Sequence, residues 1–348
     1  MEDIMPAKIP PLEAVIKMGA AHPRLWELIS TVVDSDYGDA LPGWNRDLCY
    51  CPIAAARAAL QADSSPAMAV SNASYVAALA AWRRGKFIYS FDPALAEEFY
   101  ESATDAAIPV DILYHLPAQC IFIDFSRMSQ KPGFPAGFFT HIECDPETGE
   151  RELRLHFIDR DGELLNMNIV HLLPGGTVND GIDAAIETIR QNADKMAEAL
   201  KIPAEKHTIA VEFINRTRET AVQALQYVLY ICSENAEISE DRVQKKIYRK
   251  RSKVMDRIEE IRKWEVGVKT GQILRRQEQQ RAQYAHTAET TPGNGSSKRT
   301  HLRRAHWHHF WVGSGENRQL VLRWISSTII NPDGSTPPTI IKLKNKPH

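Results

Sequence analysis

The amino-acid sequence predicts an α+β fold with four parts. These are an N-terminal helical region, a central antiparallel β-meander covered by helices, a basic helical arm and a C-terminal β-hairpin. Three observations carry the prediction: an Ala-rich first third with helical spacing of apolar residues, four strand-like runs separated by turn residues, and two aromatic runs flanking the segment GSGENR.

Composition indicates an ordinary globular protein, with 43% hydrophobic and 25% charged residues in a chain of 348. No apolar run approaches the ~20 residues of a membrane helix, and no apolar signal core follows the N-terminus, so we expect a cytoplasmic protein with no membrane partner. Five scattered cysteines predict free thiols. The segments expected are 1–115 (helical), 116–236 (α+β domain), 237–299 (basic arm and linker) and 300–348 (hairpin and tail).

The first segment is predicted to contain five helices. Pro23, Pro52 and Pro93 stand where a first helical turn tolerates proline, and Asp92 is a candidate N-cap. We see no catalytic constellation among these residues. The predicted helices cover residues 12–18, 23–33, 52–62, 67–86 and 93–102.

Residues 119–172 predict an antiparallel meander, because strand-like runs alternate with turns such as DPETGE and DRDG. Three histidines, His141, His156 and His171, fall on three successive strands. They favour either a metal site or ordinary half-buried sheet positions. The predicted strands cover residues 119–125, 137–144, 151–158 and 164–172.

Helices are expected to cover the meander. An amphipathic helix is predicted over 178–201, followed by a short strand over 208–214. Asn215 is a candidate N-cap for a further helix that ends at Cys232 and carries a broad apolar stripe. Helices packed on a meander define an α+β domain.

A basic segment follows, with 18 Lys or Arg against six Asp or Glu over residues 242–304, although the whole chain carries −2. Such local charge indicates a polyanion partner such as RNA, or an acidic protein surface, while a solvated face is the alternative. A helix over 240–264 would align the cations on one face, and 287–298 reads as a flexible linker. The candidate partner- or RNA-binding residues here are Arg242, Lys245, Lys246, Arg249, Lys250 and Lys253.

The aromatic runs near the C-terminus predict a hairpin that packs on one side and offers cations and rings on the other. The alternative is a hairpin with a purely structural role. His306 and His308 share a face, so a metal site is a further possibility, as is a histidine that acts as a general base. No third ligand besides His301 and no orienting carboxylate is apparent, so we predict no catalytic residue, metal or cofactor. The candidate binding residues here are Arg303, Arg304, Trp307, His309, Trp311 and Arg323.

The segments QCIFIDF, GFFTHIECDPETGERELRLHFID and THLRRAHWHHFWVG…RQLVLRWISSTIIN resemble the second type V-A anti-CRISPR family and its homologues on bacterial mobile elements. The resemblance implies a protein that lowers production of the type V-A effector nuclease. It implies recognition of a segment of the nascent or mature effector polypeptide and translation-dependent loss of its mRNA. It carries over no catalytic residue.

Binding without catalysis is therefore the function expected from the sequence. The partners expected are the effector polypeptide, the ribosome or mRNA, and a host nuclease that degrades the mRNA. Two other functions stay open: a direct RNA-binding protein or His-dependent ribonuclease, and a structural or assembly protein of a mobile element.

Overall fold

Helices flank both faces of a seven-stranded sheet in the computed structural model. The strand order is β5-β4-β3-β2-β1-β7-β6, and a separate two-stranded ribbon lies near the C-terminus. The predicted mixed fold, with its meander and hairpin, is confirmed. The structure describes residues 8–35, 41, 43–63, 66–101, 107–128, 134–201, 204–240, 261–288, 301–303, 305–314 and 318–330.

All five N-terminal helices form close to where they were predicted. Pro93 begins α5, as predicted, where its missing N–H costs nothing, and proline also begins α1 and α4. Pro23 and Pro52 instead lie just before α2 and α3. The Asp92 carboxylate accepts the Ala94 N–H at 3.0 Å and so caps the start of α5, as predicted. The helices are α1 Pro10–Ala21, α2 Leu25–Val33, α3 Ile53–Asp63, α4 Pro66–Gly85 and α5 Pro93–Glu101.

The predicted meander is confirmed as β2 Cys120–Asp124, β3 Gly137–Cys144, β4 Arg151–Ile158 and β5 Leu164–His171. One sheet face packs Phe122 and Phe139 under α1 and α4. The opposite face packs Ile123 and Leu155 in the larger core that includes α6 (Val178–Ala199) and α7 (Ala204–Cys232). Both faces of β2 and β3 are therefore buried beneath helices, whereas the start of β5 is exposed.

Three strands that the sequence reading missed complete the sheet: β1 Phe87–Phe91, β6 Ile238–Glu240 and β7 Arg262–Val266. β1 pairs in parallel with β2 on one side and β7 on the other, whereas β6 is antiparallel to β7. The sheet thus takes strands from three of the four predicted segments. Parallel strands are joined by long crossover connections, so the sequence contains no local turn signal that would predict their pairing.

Two predictions about local structure are wrong. Residues 208–214 form part of α7 instead of a strand, since the helix begins at Ala204 and runs through Asn215 to Cys232. The predicted basic helix over 240–264 is wrong at both ends, because β6 ends at Glu240 and β7 begins at Arg262. Residues 241–260 lie outside the described residues, as does most of the predicted linker over 287–298.

A helix that follows β7, α8 (Val268–Ala288), is anchored at its start. Gly267 joins strand and helix at φ +72°, and a Cβ there would stand 2.1 Å from Leu95 Cδ2, so only glycine fits without strain. Glu237 accepts the Lys269 and Thr270 N–H groups at 2.8 and 2.9 Å. Arg275 then donates two hydrogen bonds, at 2.6 and 3.0 Å, to the carboxylate of Asp92. These contacts hold α8 against α5.

All five cysteines are buried free thiols, as predicted. None of the described helices is long and apolar enough to cross a membrane.

Candidate functional site

The C-terminal ribbon is the predicted hairpin, extended at its base by a second short pair of strands. β9 (His306–Val312) pairs antiparallel with β10 (Gln319–Ile325). Below them β8 (His301–Arg303) pairs with β11 (Thr328–Ile330). The register places Trp307 opposite Trp324, so one face of the ribbon carries a large aromatic pair.

That aromatic face is anchored to the body of the protein. The Trp307 side chain is only 4% exposed, and its ring centroid lies 4.7 Å from that of Trp324. The Trp307 indole N–H donates to Gln226 Oε1 on α7 at 2.6 Å. Trp324 packs edge-on against Phe99 of α5, with centroids 4.9 Å apart. A buried indole with a satisfied N–H is a strong packing anchor.

The outer edge of β10 is covered by the residues that follow α7. The Glu234 N–H donates to the Leu322 carbonyl at 3.0 Å. The Asn235 side chain accepts the Trp324 N–H at 3.0 Å and donates to the Trp324 carbonyl at 2.8 Å, as a neighbouring strand would. Glu234 also accepts a hydrogen bond from Arg323 Nε at 2.6 Å. No strand could add to β10 without displacing these contacts.

The outer edge of β9 is different, because no described strand pairs with it. Leu322 and Trp324 direct their backbone groups away from β9, so their partners His309 and Trp307 form non-hydrogen-bonded pairs. Backbone N–H and C=O groups in such pairs point outward. Trp307, His309 and, by the period of two, Trp311 therefore direct their backbone groups to the free edge.

The tip of the ribbon extends beyond the body. Trp311 shares the anchored face with Trp307 but is 61% exposed, and its neighbour Val312 is 40% exposed. The other face carries Arg323, whose guanidinium lies 4.9 Å from the centroid of the Phe310 ring. We name the β9 edge together with Trp311 the ribbon edge. It offers backbone donors, backbone acceptors and an exposed indole side by side.

The candidate binding residues of the ribbon differ in how exposed their side chains are. Trp307 belongs to the core, so its side chain lies outside any exposed binding face, contrary to its place among the candidates. Trp311 is exposed, His309 is half-buried, and Arg323 is exposed but paired with Glu234. For Arg303 only the backbone is described. Outside the described residues lie Arg242, Lys245, Lys246, Arg249, Lys250, Lys253 and Arg304.

His306 and His308 share one face of the ribbon, as the alternation predicts, and His309 lies on the other. The register sets His308 opposite Arg323 and His309 opposite Leu322, on different faces. His306 lies opposite Ile325. Within the described ranges, no group of three His, Cys, Asp or Glu side chains could hold a metal ion.

The three strand histidines occupy sheet positions with different neighbours. His156 is fully buried, with its Nε2 2.9 Å from Ser74 Oγ and its ring stacked on His141 at 5.4 Å. His171 lies 3.3 Å from Glu152, whose carboxylate also accepts two hydrogen bonds from Arg154. Burial, with smaller effects of His141 and Arg154, holds the pKa of His156 well below its ordinary value. His156 is therefore a neutral imidazole at pH 7.

Sequence reasoning missed the polar residues that position the ribbon. Gln226 is a buried amide within the apolar stripe of α7, and that mismatch is the signal that could have identified it. Asn235 follows the helix end in a segment that reads as an ordinary turn. Its role depends on the position of Trp324 in the folded chain, and the sequence contains no signal for that position.

The fold is similar to that of a solved structure described as "Crystal structure of AcrVA2", with a TM-score of 0.56. The two chains share 17% identity, and the match covers 93% of this chain and 100% of that one. At this identity the likeness shows a shared fold, one that an anti-CRISPR protein also uses.

A family model described as AcrVA2-like, the anti-CRISPR type V subtype A2 family, matches residues 89–332. The match spans well over half of the chain, so the protein belongs to this family. The resemblance seen in the sequence is thereby confirmed. A comparison with curated proteins gives no match.

Proposed function

We propose that this protein recognises a segment of the type V-A effector polypeptide at the ribbon edge and so lowers production of the effector. Recognition occurs while the polypeptide emerges from the ribosome, and the encoding mRNA is then lost. The chain acts by binding, and a host nuclease degrades the mRNA. The observation that carries the proposal is the outer edge of β9, with which no strand among the described residues pairs, beside the exposed Trp311.

A sheet edge suits a peptide that has not yet folded. An extended segment can add as a third strand and form main-chain hydrogen bonds with His309 and Trp311, while side-chain pockets supply specificity. The other edge of the ribbon is covered by Glu234 and Asn235, which directs an incoming strand to β9. Trp311 adds a large amphipathic ring at low entropic cost.

The first experiment measures binding of labelled peptides that tile the effector sequence to the purified full chain, by fluorescence anisotropy. We expect one segment to bind, and Trp311→Ala to weaken it by about tenfold, or about 1.4 kcal/mol. Leu165→Ala is the matched control, since Leu165 is an exposed apolar residue on the edge strand β5. Equal losses in the two variants, or no binding peptide, would contradict the proposal.

A pair of variants at His309 tests the backbone contribution directly. His309→Pro removes an outward N–H while leaving the β9–β10 ladder intact, because edge strands tolerate proline where the N–H faces outward. His309→Ala keeps that donor and removes only the imidazole. We expect the proline variant to lose peptide binding and the alanine variant to retain most of it. Similar binding by both would show that the β9 backbone takes no part.

A cellular experiment separates polypeptide recognition from recognition of the mRNA sequence. Effector transcript is quantified with and without this protein, for the natural gene and for a synonymously recoded gene. Loss of both transcripts is expected, because the peptide is unchanged. Protection of the recoded transcript would show that the nucleotide sequence is read. A stop codon placed early in the effector gene is expected to abolish the loss.

A further inference from the structure

The strand β5 lies at one end of the seven-stranded sheet, and no strand among the described residues pairs with its outer side. Two apolar side chains at its start are exposed, Leu164 by 36% and Leu165 by 47%. Met167 and Ile169 further along the strand are half-buried. We name residues 164–169 the β5 edge.

The register with β4 shows which backbone groups of β5 face outward. The Leu172 N–H donates to the Arg151 carbonyl at 2.9 Å, so these two residues form a hydrogen-bonded pair. Hydrogen-bonded and non-hydrogen-bonded pairs alternate along antiparallel strands, so the even-numbered residues over 166–170 direct their backbone groups to β4. Met167 and Ile169 therefore direct their N–H and C=O groups to the outer side.

The two ends of β5 limit where another strand can pair. At the carboxyl end, α6 passes so close that a Cβ on Gly181 would stand 2.2 Å from the His171 carbonyl oxygen. At the amino end, the register with β4 shifts between Phe157 and Ile158, and regular pairing begins at Asn166. The outward backbone groups available to another strand are thus those in the middle of β5.

The β5 edge contains no charged residue and no proline. Natural sheets protect exposed edges with charges, with proline, with short strands or with a covering element. The strand at the opposite end of the sheet, β6, is protected in this way, since it is three residues long and ends at Glu240. A longer uncharged edge such as that of β5 is a template for pairing with another chain.

The sequence of β5 is chemically symmetric about Met167. Residues at equal distances before and after it are of the same kind, amide with amide and branched apolar with branched apolar. The pairs, from the centre outward, are Asn166 with Asn168, Leu165 with Ile169 and Leu164 with Val170. When two copies of such a strand lie antiparallel across a two-fold axis at Met167, each residue lies opposite its counterpart.

We infer that two copies of this protein associate by pairing β5 with β5, antiparallel and centred on Met167. The Met167 backbone groups of the two copies then form a hydrogen-bonded pair, and the two sheets join into one. A strand from an unrelated partner would need no symmetry in β5, so the symmetry favours a second copy. The inference goes beyond the proposed function, since the pairing uses no residue of the ribbon edge.

The first test measures the mass of the full chain by sedimentation equilibrium over a concentration series. We expect the natural chain to reach twice its 39.2 kDa. Ile169→Pro removes an outward N–H from each copy while leaving the ladder with β4 intact, and should raise the dimer dissociation constant by about tenfold or more. His309→Pro makes the same change at the β9 edge and should leave the dissociation constant unchanged. A natural chain that stays monomeric, or equal effects of the two variants, would overturn the inference.

A charge exchange tests the register of the pairing. Leu165→Glu and Ile169→Lys each introduce a charge opposite an apolar residue of the other copy, so each variant alone should be monomeric. Combined in one chain, the two changes place each introduced carboxylate opposite an introduced ammonium group, and the dimer should return. Circular dichroism and urea midpoints establish that the variants are folded. A combined variant that is no more dimeric than the single variants would overturn pairing centred on Met167.

Peptide binding by Ile169→Pro separates this inference from the proposed function. We expect each chain of this variant to bind the effector peptide as the natural chain does. A dimer that binds no peptide would remove the proposed function and leave the β5 pairing standing. A natural chain that binds peptide as a monomer would remove the β5 pairing alone.

Discussion

Trp307 and Trp311 allow a sharp test of which ribbon residues fold the protein and which are available to a partner. Both side chains lie on one face of β9, because the two residues are four positions apart and side chains alternate with a period of two. Trp307 is 4% exposed and Trp311 is 61% exposed. We expect Trp307→Ala to be strongly destabilising and Trp311→Ala to leave the free energy of unfolding almost unchanged.

The magnitude follows from two losses at Trp307. Truncating a buried tryptophan to alanine costs about 3 to 5 kcal/mol in lost burial and residual cavity. The Gln226 carbonyl oxygen, which accepts the indole N–H at 2.6 Å, also loses its partner. An orphaned buried polar group adds about 1 to 3 kcal/mol. The sum is at least about 4 kcal/mol, against about 0.5 kcal/mol or less for an exposed substitution such as Trp311→Ala.

A double-mutant cycle separates the hydrogen bond from the packing. Trp307→Phe keeps most of the ring but removes the N–H, so it should cost about 1 to 3 kcal/mol through Gln226. Gln226→Leu in the Trp307→Phe background replaces the orphaned amide with an apolar group. That second change should recover part of the loss, because two apolar partners of similar shape can be nearly neutral.

Urea unfolding followed by far-ultraviolet circular dichroism is the appropriate assay, since tryptophan fluorescence changes with the substitutions themselves. The free energies are compared at matched m-values, so that a change in unfolded-state compactness is not taken for a stability change. Equal stability losses for Trp307→Ala and Trp311→Ala would refute the reasoning. A loss below about 1 kcal/mol at Trp307 would equally show that its ring is not a core anchor.

Two further predictions concern the buried polar groups. The pKa of His156 lies well below 6.5 in the folded state, so the unfolded chain takes up a proton first as pH falls. Its contribution to stability is therefore complete above about pH 6.5 and is lost below it, by up to about 1.4 kcal/mol per pH unit. His156→Gln should flatten the pH dependence of the urea midpoint between about pH 7 and pH 5, and an unchanged slope would contradict the assignment. Asn235→Ala should destabilise by about 1 to 3 kcal/mol in urea unfolding, because the Trp324 N–H and C=O both lose a partner. Exposed Asn166→Ala on β5 is the matched control, and a similar small effect of both variants would show that Asn235 does not hold the ribbon.

Much of the architecture could be predicted because its signals are local. The five N-terminal helices carry their apolar spacing within a few turns of chain, three of them begin with proline, and Asp92 caps α5. The meander β2–β5 likewise shows alternation and turn residues between consecutive strands. The paired aromatic runs β9 and β10 are adjacent in sequence, so their register follows from one turn.

Longer-range features could not be predicted in this way. β1 is five residues long and finds its neighbours β2 and β7 only through parallel crossovers, one of which spans well over a hundred residues. The reverse error arose at residues 208–214, where β-branched residues favoured a strand but the surrounding helix α7 continues through them. Local propensity is weak beside the stabilisation that a long packed helix provides.

For the candidate site, the sequence by itself determined that Trp307 and Trp311 share one face of a strand, since side chains alternate with a period of two. It also determined where the positive charge is concentrated. Only the tertiary structure decided that Trp307 is an anchor and Trp311 an exposed contact, because the body formed by α5 and α7 ends between them. The same holds for Phe87 and Arg262, which are far apart in sequence and are paired in neighbouring strands of the sheet. The burial of a residue and its neighbours in space are set by distant parts of the chain, so they cannot be predicted from the residues of one strand.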